Sequence, residues 1–346
     1  MQKKLIAMAI AGLAAVPAFA QSSVSIYGRV DMGYRTFTND GKATLEDEES
    51  SNRWGIQGEE DLGGGLKAFF QLENRFYLDN GNQNSNRQWK DKAWVGLKSN
   101  NLGAVSFGRI PSAAYSLYGG SFEAFGGDTI GAMPNRRGKR TDNWDNAAKY
   151  ESPNFGGVFK AVATIGPGEH NQANDKTRYG VGGQLTLGNF KAEALYQKDT
   201  VNDASAAGTA GFPTTAQGLV ASPWKTWFVT ANYNFKVVEI FGGYAESRGY
   251  DIGTVKNDGA KFKVYQAGFR VPVGAGTVMG NIGRSSERLP NGAEKEPRLS
   301  HAAVGYWYNL SKRTTLMANL SYEHKYKAYQ GHDDQIGTEL AIRHTF

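Results

Sequence analysis

Residues able to form or break covalent bonds are few in this sequence, and they are scattered. The five histidines, His170, His301, His324, His332 and His344, stand apart, mostly near loops or segment ends, with no H-E-x-x-H and no serine elbow beside them. Covalent catalysis needs a nucleophile, a base and an orienting group brought together, so the histidines read as structural surface residues and the chain as a non-enzyme. "GAGTVMG" (274–280) is glycine-rich but leads from a turn into a strand, whereas a phosphate cradle needs a helix behind it. "LEDEES" (45–50) lacks the spacing of a calcium loop and reads as a solvated acidic run. No cofactor and no metal is expected. What remains is the chemistry of fixed charge, and the question becomes which face of which element carries it.

The first long element shows the difficulty. In "SVSIYGRVDMGYRTF" (23–37), successive strand side chains alternate faces. Val24, Ile26, Gly28, Val30, Met32 and Tyr34 fall on one face; Ser25, Tyr27, Arg29, Asp31, Gly33 and Arg35 fall on the other. Sixteen such alternating segments can be placed, starting near residues 23, 52, 66, 88, 103, 145, 158, 176, 190, 225, 237, 260, 276, 300, 313 and 334. Short connectors ("DLGGG", "SNNL", "SPNFGG", "GN", "FK", "VGA", "LSK") alternate with long polar ones such as 39–51, 199–224 and 286–299. In an antiparallel meander this alternation sends all short turns to one end and all long loops to the other, as in an outer-membrane barrel.

Composition agrees with that architecture. "MQKKLIAMAIAGLAAVPAFA" has two lysines, an apolar run and an A-x-A ending, so residues 1–20 read as a cleaved signal peptide. Residues 21–346 then form one barrel domain. Losing Lys3 and Lys4 takes the formal net charge from +6 to +4, with 33 acids mixed among the bases, which argues against nucleic acid as a partner. No later segment is long and apolar enough for a spanning helix. The mean hydropathy of −0.50 is still compatible with a membrane barrel, because only alternate residues of each strand need be apolar. The last segment, "IGTELAIRHTF", alternates to its end, with Ile336, Leu340, Ile342 and the terminal Phe346 on one face. A barrel leaves no strand edge unpaired in hydrocarbon, so the apolar face can look outward and the polar face can line water.

On these motifs the sequence resembles the general trimeric porins of Gram-negative bacteria, of the β-proteobacterial type. They are "SIYGRVDMGY" (25–34), "SNRWGIQGEEDLGGGLKAFFQLENRF" (51–76), "AWVGLKSNNLGAVSFGR" (93–109), "YESPNFGG" (150–157), "YNLSKRT" (308–314) and "AIRHTF" (341–346). The resemblance implies an all-β, 16-stranded antiparallel transmembrane barrel with its long third loop folded into the lumen. It also implies a homotrimer in the outer membrane and passive diffusion of ions and small hydrophilic solutes. Outer-membrane lipid, lipopolysaccharide and the barrel assembly machinery are the other expected partners, the last reading the terminal Phe346.

Residues 111–144 occupy the place of the constriction loop. "FEAFGGD" (122–128) is similar to the P-E-F-G-G-D pattern of many porins, where acids on the loop face bases on the wall. Asp128 matches, while Glu123 sits one place early because Ala124 precedes Phe125. Arg29 and Arg53 match basic pore positions of the family, and Arg75 shares a lumen-facing parity with Glu73 and Gln71. Arg136, Arg137, Lys139 and Arg140 are candidate loop bases or an ordinary solvated run. Excess bases imply a weak anion preference. A substrate-specific channel, with Tyr115, Tyr118 and Phe122 as an aromatic track, stays open as an alternative, as do a barrel enzyme and an adhesin.

Overall fold

The computed structural model describes residues 23–38, 43–47, 52–117, 123–134, 136, 138–140, 142–167, 177–199, 224–250, 259–292, 294–324 and 334–346. Residues 1–20, Tyr118, Phe122, Arg137, His170 and His332 lie outside them. The strands are β1 (Ser23–Phe37), β2 (Ala43–Asp47), β3 (Arg53–Gly63), β4 (Leu66–Arg75), β5 (Lys92–Ser99), β6 (Gly103–Pro111), β7 (Asn143–Glu151), β8 (Phe159–Gly166) and β9 (Arg178–Leu187). They continue with β10 (Phe190–Lys198), β11 (Trp224–Asn234), β12 (Glu239–Gly249), β13 (Lys261–Val273), β14 (Gly276–Arg288), β15 (Glu294–Asn309), β16 (Thr314–His324) and β17 (Asp334–Thr345). One short helix, α1 (Ala113–Leu117), follows β6.

All strand pairings are antiparallel, and β17 returns to pair with β1 from Arg29↔Thr345 to Phe37↔Gly337, which closes the sheet. Strands β2 and β3 both pair with β1, one against Met32–Thr36 and the other against Ser23–Arg29. They are therefore one interrupted stave, and the barrel has sixteen. Strand starts match the sequence pattern within a few residues except at β15, which begins at Glu294. Because β14 also runs on to Arg288, 286–299 is a hairpin arm and not the long polar loop that composition suggested. The register sets Arg288 across from Glu294.

The two faces are inverted relative to a water-soluble sheet. Val24, Ile26, Leu97, Phe107, Ile282 and Leu340 are exposed on the outside, while Glu73, Gln197, Ser247 and Glu339 are buried inside. These inner groups are bonded: Arg35 Nη2 lies 2.6 Å from Glu339 Oε1, and Asn319 Nδ2 donates to Glu339 Oε2 at 2.6 Å. A buried charge left alone would be costly.

The seam where the two ends of the chain meet is tightly made. Phe346 N donates to Gly28 O at 3.1 Å and Gly28 N to Phe346 O at 2.9 Å. The phenylalanine ring covers Gly28 so closely that a Cβ there would stand 2.3 Å from Phe346 Cζ. Gly28→Val is therefore expected to displace the ring and destabilise the closed barrel by about 1–3 kcal/mol, the usual range for overpacking. A lower unfolding midpoint in denaturant checks this; an unchanged midpoint contradicts it.

Candidate functional site

The registers of three neighbouring strands put three arginines in one row on the inner wall: Arg29 of β1 pairs across to Arg53 of β3, and Arg53 to Arg75 of β4. Like charges directly opposite repel, so each head needs an acid or water. Arg75 is buried and bound to Asp91 (Nε–Oδ2 2.7 Å, Nη2–Oδ2 2.5 Å), donates to Tyr115 Oη at 3.2 Å, and lies 3.7 Å from Glu73. Arg29 Nη1 reaches Asp128 Oδ2 at 2.8 Å. Arg53, between them, is half-buried and meets no acid or hydrogen-bond acceptor among the described residues. The same face continues into β5, where Lys92 Nζ sits 2.9 Å from Glu73 Oε2.

Asp128 is carried by the segment between β6 and β7, whose described residues pack against the inner wall. Its anchoring starts with α1: Ser112 Oγ accepts from Tyr115 N, Ala114 N donates to Gln197 Oε1 at 3.1 Å, and Ala113 and Ala114 pack with Val162 and Leu195. Farther on, Phe125 is fully buried with Ala124, Phe241 and Met279, and meets Trp307 edge-on at 6.3 Å. Met133 joins Trp224, Phe228, Phe262 and Val264. The aromatic and apolar residues of this loop thus pack on the inner wall, as a loop of that composition must.

Glu123 takes a different place from the one its resemblance implies. Its carboxylate is buried, accepting from Phe125 N (3.1 Å), Gly127 N (2.7 Å) and Asn281 Nδ2 of β14 (2.6 Å). Arg270 of β13 donates to the carbonyls of Glu123 and Ala124, each at 2.7 Å. Glu123 therefore pins the loop to the wall at β13 and β14, away from the arginine row, because the shift of one position turns its side chain back on its own turn. The loop bases also serve as ties. Arg136 donates to Gly127 O, Arg140 meets Asp142 at 2.7 Å, and buried Lys139 lies 3.3 Å from Glu287 and over the Phe262 ring.

Two more inward residues were not assigned to the lumen from the sequence. Arg343 of β17 grips Asp31 (Nε–Oδ2 2.7 Å, Nη2–Oδ2 2.5 Å), lies 3.8 Å from Asp128 and stacks 5.1 Å from Trp307. His301 is buried, not at the surface as expected, with Nε2 3.0 Å from Gly131 O. Parity alone put Arg343 on the polar face; its partner appears only when the first and last strands meet.

Burial alone would push the Asp128 carboxyl up, but Arg29 and then Arg343 hold it below the usual carboxylate range. The sign follows from that depression: the ion pair is intact above the ordinary aspartate value of about 4 and is lost only as pH falls through the lower folded value. Anion preference should stay level from pH 8 down to about 4 and rise only in stronger acid, as Asp128 takes a proton and Arg29 is uncovered. Reversal potentials measured against pH test this, and a step already at ordinary carboxylate pH would contradict it.

The chain's relatives fit the geometry. A Gram-negative porin family model matches residues 7–327. An outer membrane porin of Bordetella pertussis is 30% identical over the full length of both chains, and outer membrane porin protein 32 of Delftia acidovorans is likewise 30% identical over the full length of both. The solved anion-selective porin from Comamonas acidovorans superimposes with a TM-score of 0.75 at 26% identity, covering 94% of this chain and all of that one. A closed sixteen-stave barrel with apolar outside, charged inside and matching relatives along its whole length leaves one reading: the chain belongs to the Gram-negative porins and is an outer-membrane channel protein.

Proposed function

We propose that this porin passes ions and small hydrophilic solutes with a weak preference for anions, and that residues 111–144 narrow its lumen. Arg29, Arg53 and Arg75 form the basic wall in this reading, with Asp128 as the acid facing it. The observation that carries the sign is Arg53: of the three row arginines it alone presents a head without an acid among the described residues, so an anion in the water column can approach it. Rings and rows of fixed charge set ion preference without any bond chemistry. The anion selectivity stated for the Comamonas porin supports the same sign.

The assembled form in this proposal is a homotrimer, with the exposed apolar face of β1, including Val24 and Ile26, available for contact between copies. Terminal Phe346 serves the barrel assembly machinery as its recognition end. The decisive experiment is a planar bilayer under a KCl gradient with purified protein. Conductance steps in threes and a reversal potential on the chloride side are expected. A cation-side potential overturns the selectivity, and inserted protein without ion conductance overturns the open channel.

A further inference from the structure

One contact between the loop and the wall needs a proton to be complete. His301 of β15 is buried, and each of its ring nitrogens faces an oxygen: Nε2 lies 3.0 Å from the carbonyl of Gly131 in the loop, and Nδ1 lies 3.4 Å from Glu323 Oε1, directly across on β16. A backbone carbonyl and an ionised carboxylate can only accept. Neutral imidazole has one N–H, so one nitrogen would turn a lone pair on an oxygen; imidazolium has two and serves both.

The charges around the ring point the same way. His301 stands across from Gly283 of β14, and the charged group on the inner face of that strand is Glu287, with Lys139 at 3.3 Å. On β17, Gln335 stands across from Glu323, and Glu339 is held by Arg35. In the loop, Asp128 is covered by Arg29 and Arg343. His324, next along β16, pairs with Asp334 on the outer face. Glu323 has no Lys or Arg in ion-pair reach among the described residues, so its only cation there is a protonated His301.

The segment that His301 touches is one that needs holding. Thr129 has a φ of 70°, a left-handed conformation rare for a β-branched residue and kept only where the surroundings over-determine it. Its Oγ1 accepts from Gly131 N at 3.3 Å and its carbonyl from Ala132 N at 3.2 Å. The Phe125 ring lies over Gly131 so closely that a Cβ there would stand 2.3 Å from it. Residues 125–132 therefore form one closed turn, and fixing the Gly131 carbonyl fixes Asp128 in front of Arg29.

We propose that His301, as an imidazolium, is a positioning residue of the channel: it clamps the constriction loop at Gly131 to Glu323 on the wall and so sets where Asp128 stands. The inference rests on the reading of residues 111–144 as the segment that narrows the lumen. The second N–H is present in acid and leaves as pH rises through the ordinary histidine range, near about 6.5, so the loop is held more tightly below that range than above it. Opening above it stays rare, because Glu123 and the buried apolar contacts hold the loop as well, and the level reversal potential is kept.

The test is hydrogen exchange of the amides between Phe125 and Ala132, read by mass spectrometry on the full chain in nanodiscs and corrected for the intrinsic pH dependence of exchange. Protection then measures how often the turn opens. From about pH 5.5 to about 8.5 it should fall about tenfold, the worth of one hydrogen bond to a charged group. His301→Gln should give low protection at both pH values. Glu323→Gln should give high protection at both, because its amide donates to the lone pair of the neutral ring. A histidine that only fills space would not move the two variants in opposite directions. Level protection in the natural chain, or an unaltered fall in either folded variant, overturns the proposal; if His301→Gln does not fold, Glu323→Gln decides. Single-channel records on the same preparation separate the two readings. Protection that falls with pH while conductance and flicker stay level upholds the clamp and counts against the narrowing, whereas flicker that follows pH under level protection counts against His301 alone.

Discussion

Replacing Glu123 with alanine is expected to release the loop from the inner wall and open the channel. The carboxylate accepts from Phe125 N, Gly127 N and Asn281 Nδ2, all inside a buried contact. A hydrogen bond to an ionised group contributes about 1.5–3 kcal/mol, and buried donors left unmet add their own penalty. Allowing for overlap among three bonds to one group, the loss is about 4 kcal/mol, or about three decades in the ratio of docked to undocked loop. The barrel itself should survive, since its wall hydrogen bonds do not involve this group. Single-channel records should show higher mean conductance with fluctuation between levels, and Arg136 and Arg140 should become open to trypsin. Glu123→Gln, which keeps one accepting oxygen, should fall between. Wild-type conductance and quiet traces in Glu123→Ala would show that the loop is held by its apolar contacts alone.

The second large effect concerns selectivity, and its strength lies in opposite signs. Arg53→Ala should lower the anion-to-cation permeability ratio, whereas Asp128→Asn should raise it by removing the acid that covers Arg29 at 2.8 Å. A unit charge about 6 Å from a passing ion in water changes its energy by about 0.7 kcal/mol, about threefold for each ion sign and so about tenfold in the ratio. Screening shrinks this in 1 M salt, where the Debye length is about 3 Å, so dilute KCl is the condition to use. Loss of Arg53 also relieves repulsion from Arg29 and Arg75, its neighbours in the row, so unfolding should not become easier. Shifts of the same sign in the two variants would remove the arginine row from the account of selectivity.

Much of this was legible in the residues taken in order. Alternation along "SVSIYGRVDMGYRTF" and "IGTELAIRHTF", with the rhythm of short and long connectors, is a property of each strand and its next turn, so stave number, closure and the direction of each face follow locally. Arg29 and Arg53 could be assigned to the wet face by parity alone. The hairpin arm escaped, because polar composition reads as loop while the backbone register of β14 with β15 runs on to Arg288↔Glu294.

What chain order could not supply was who faces whom across closed space. Asp128 meets Arg29 and Arg343 only because residues 29 and 343 become neighbours when the ends join. Glu123, five positions from Asp128, turns instead to Asn281 of β14, and one position in a turn reverses a side chain's direction. Arg75 has the same parity as Arg53, yet Asp91 and Tyr115 cover it while Arg53 stays open. Periodicity determines the face on which a charge stands; its neutralisation is a pairwise electrostatic matter over a few ångströms, and those distances exist only after the barrel has closed.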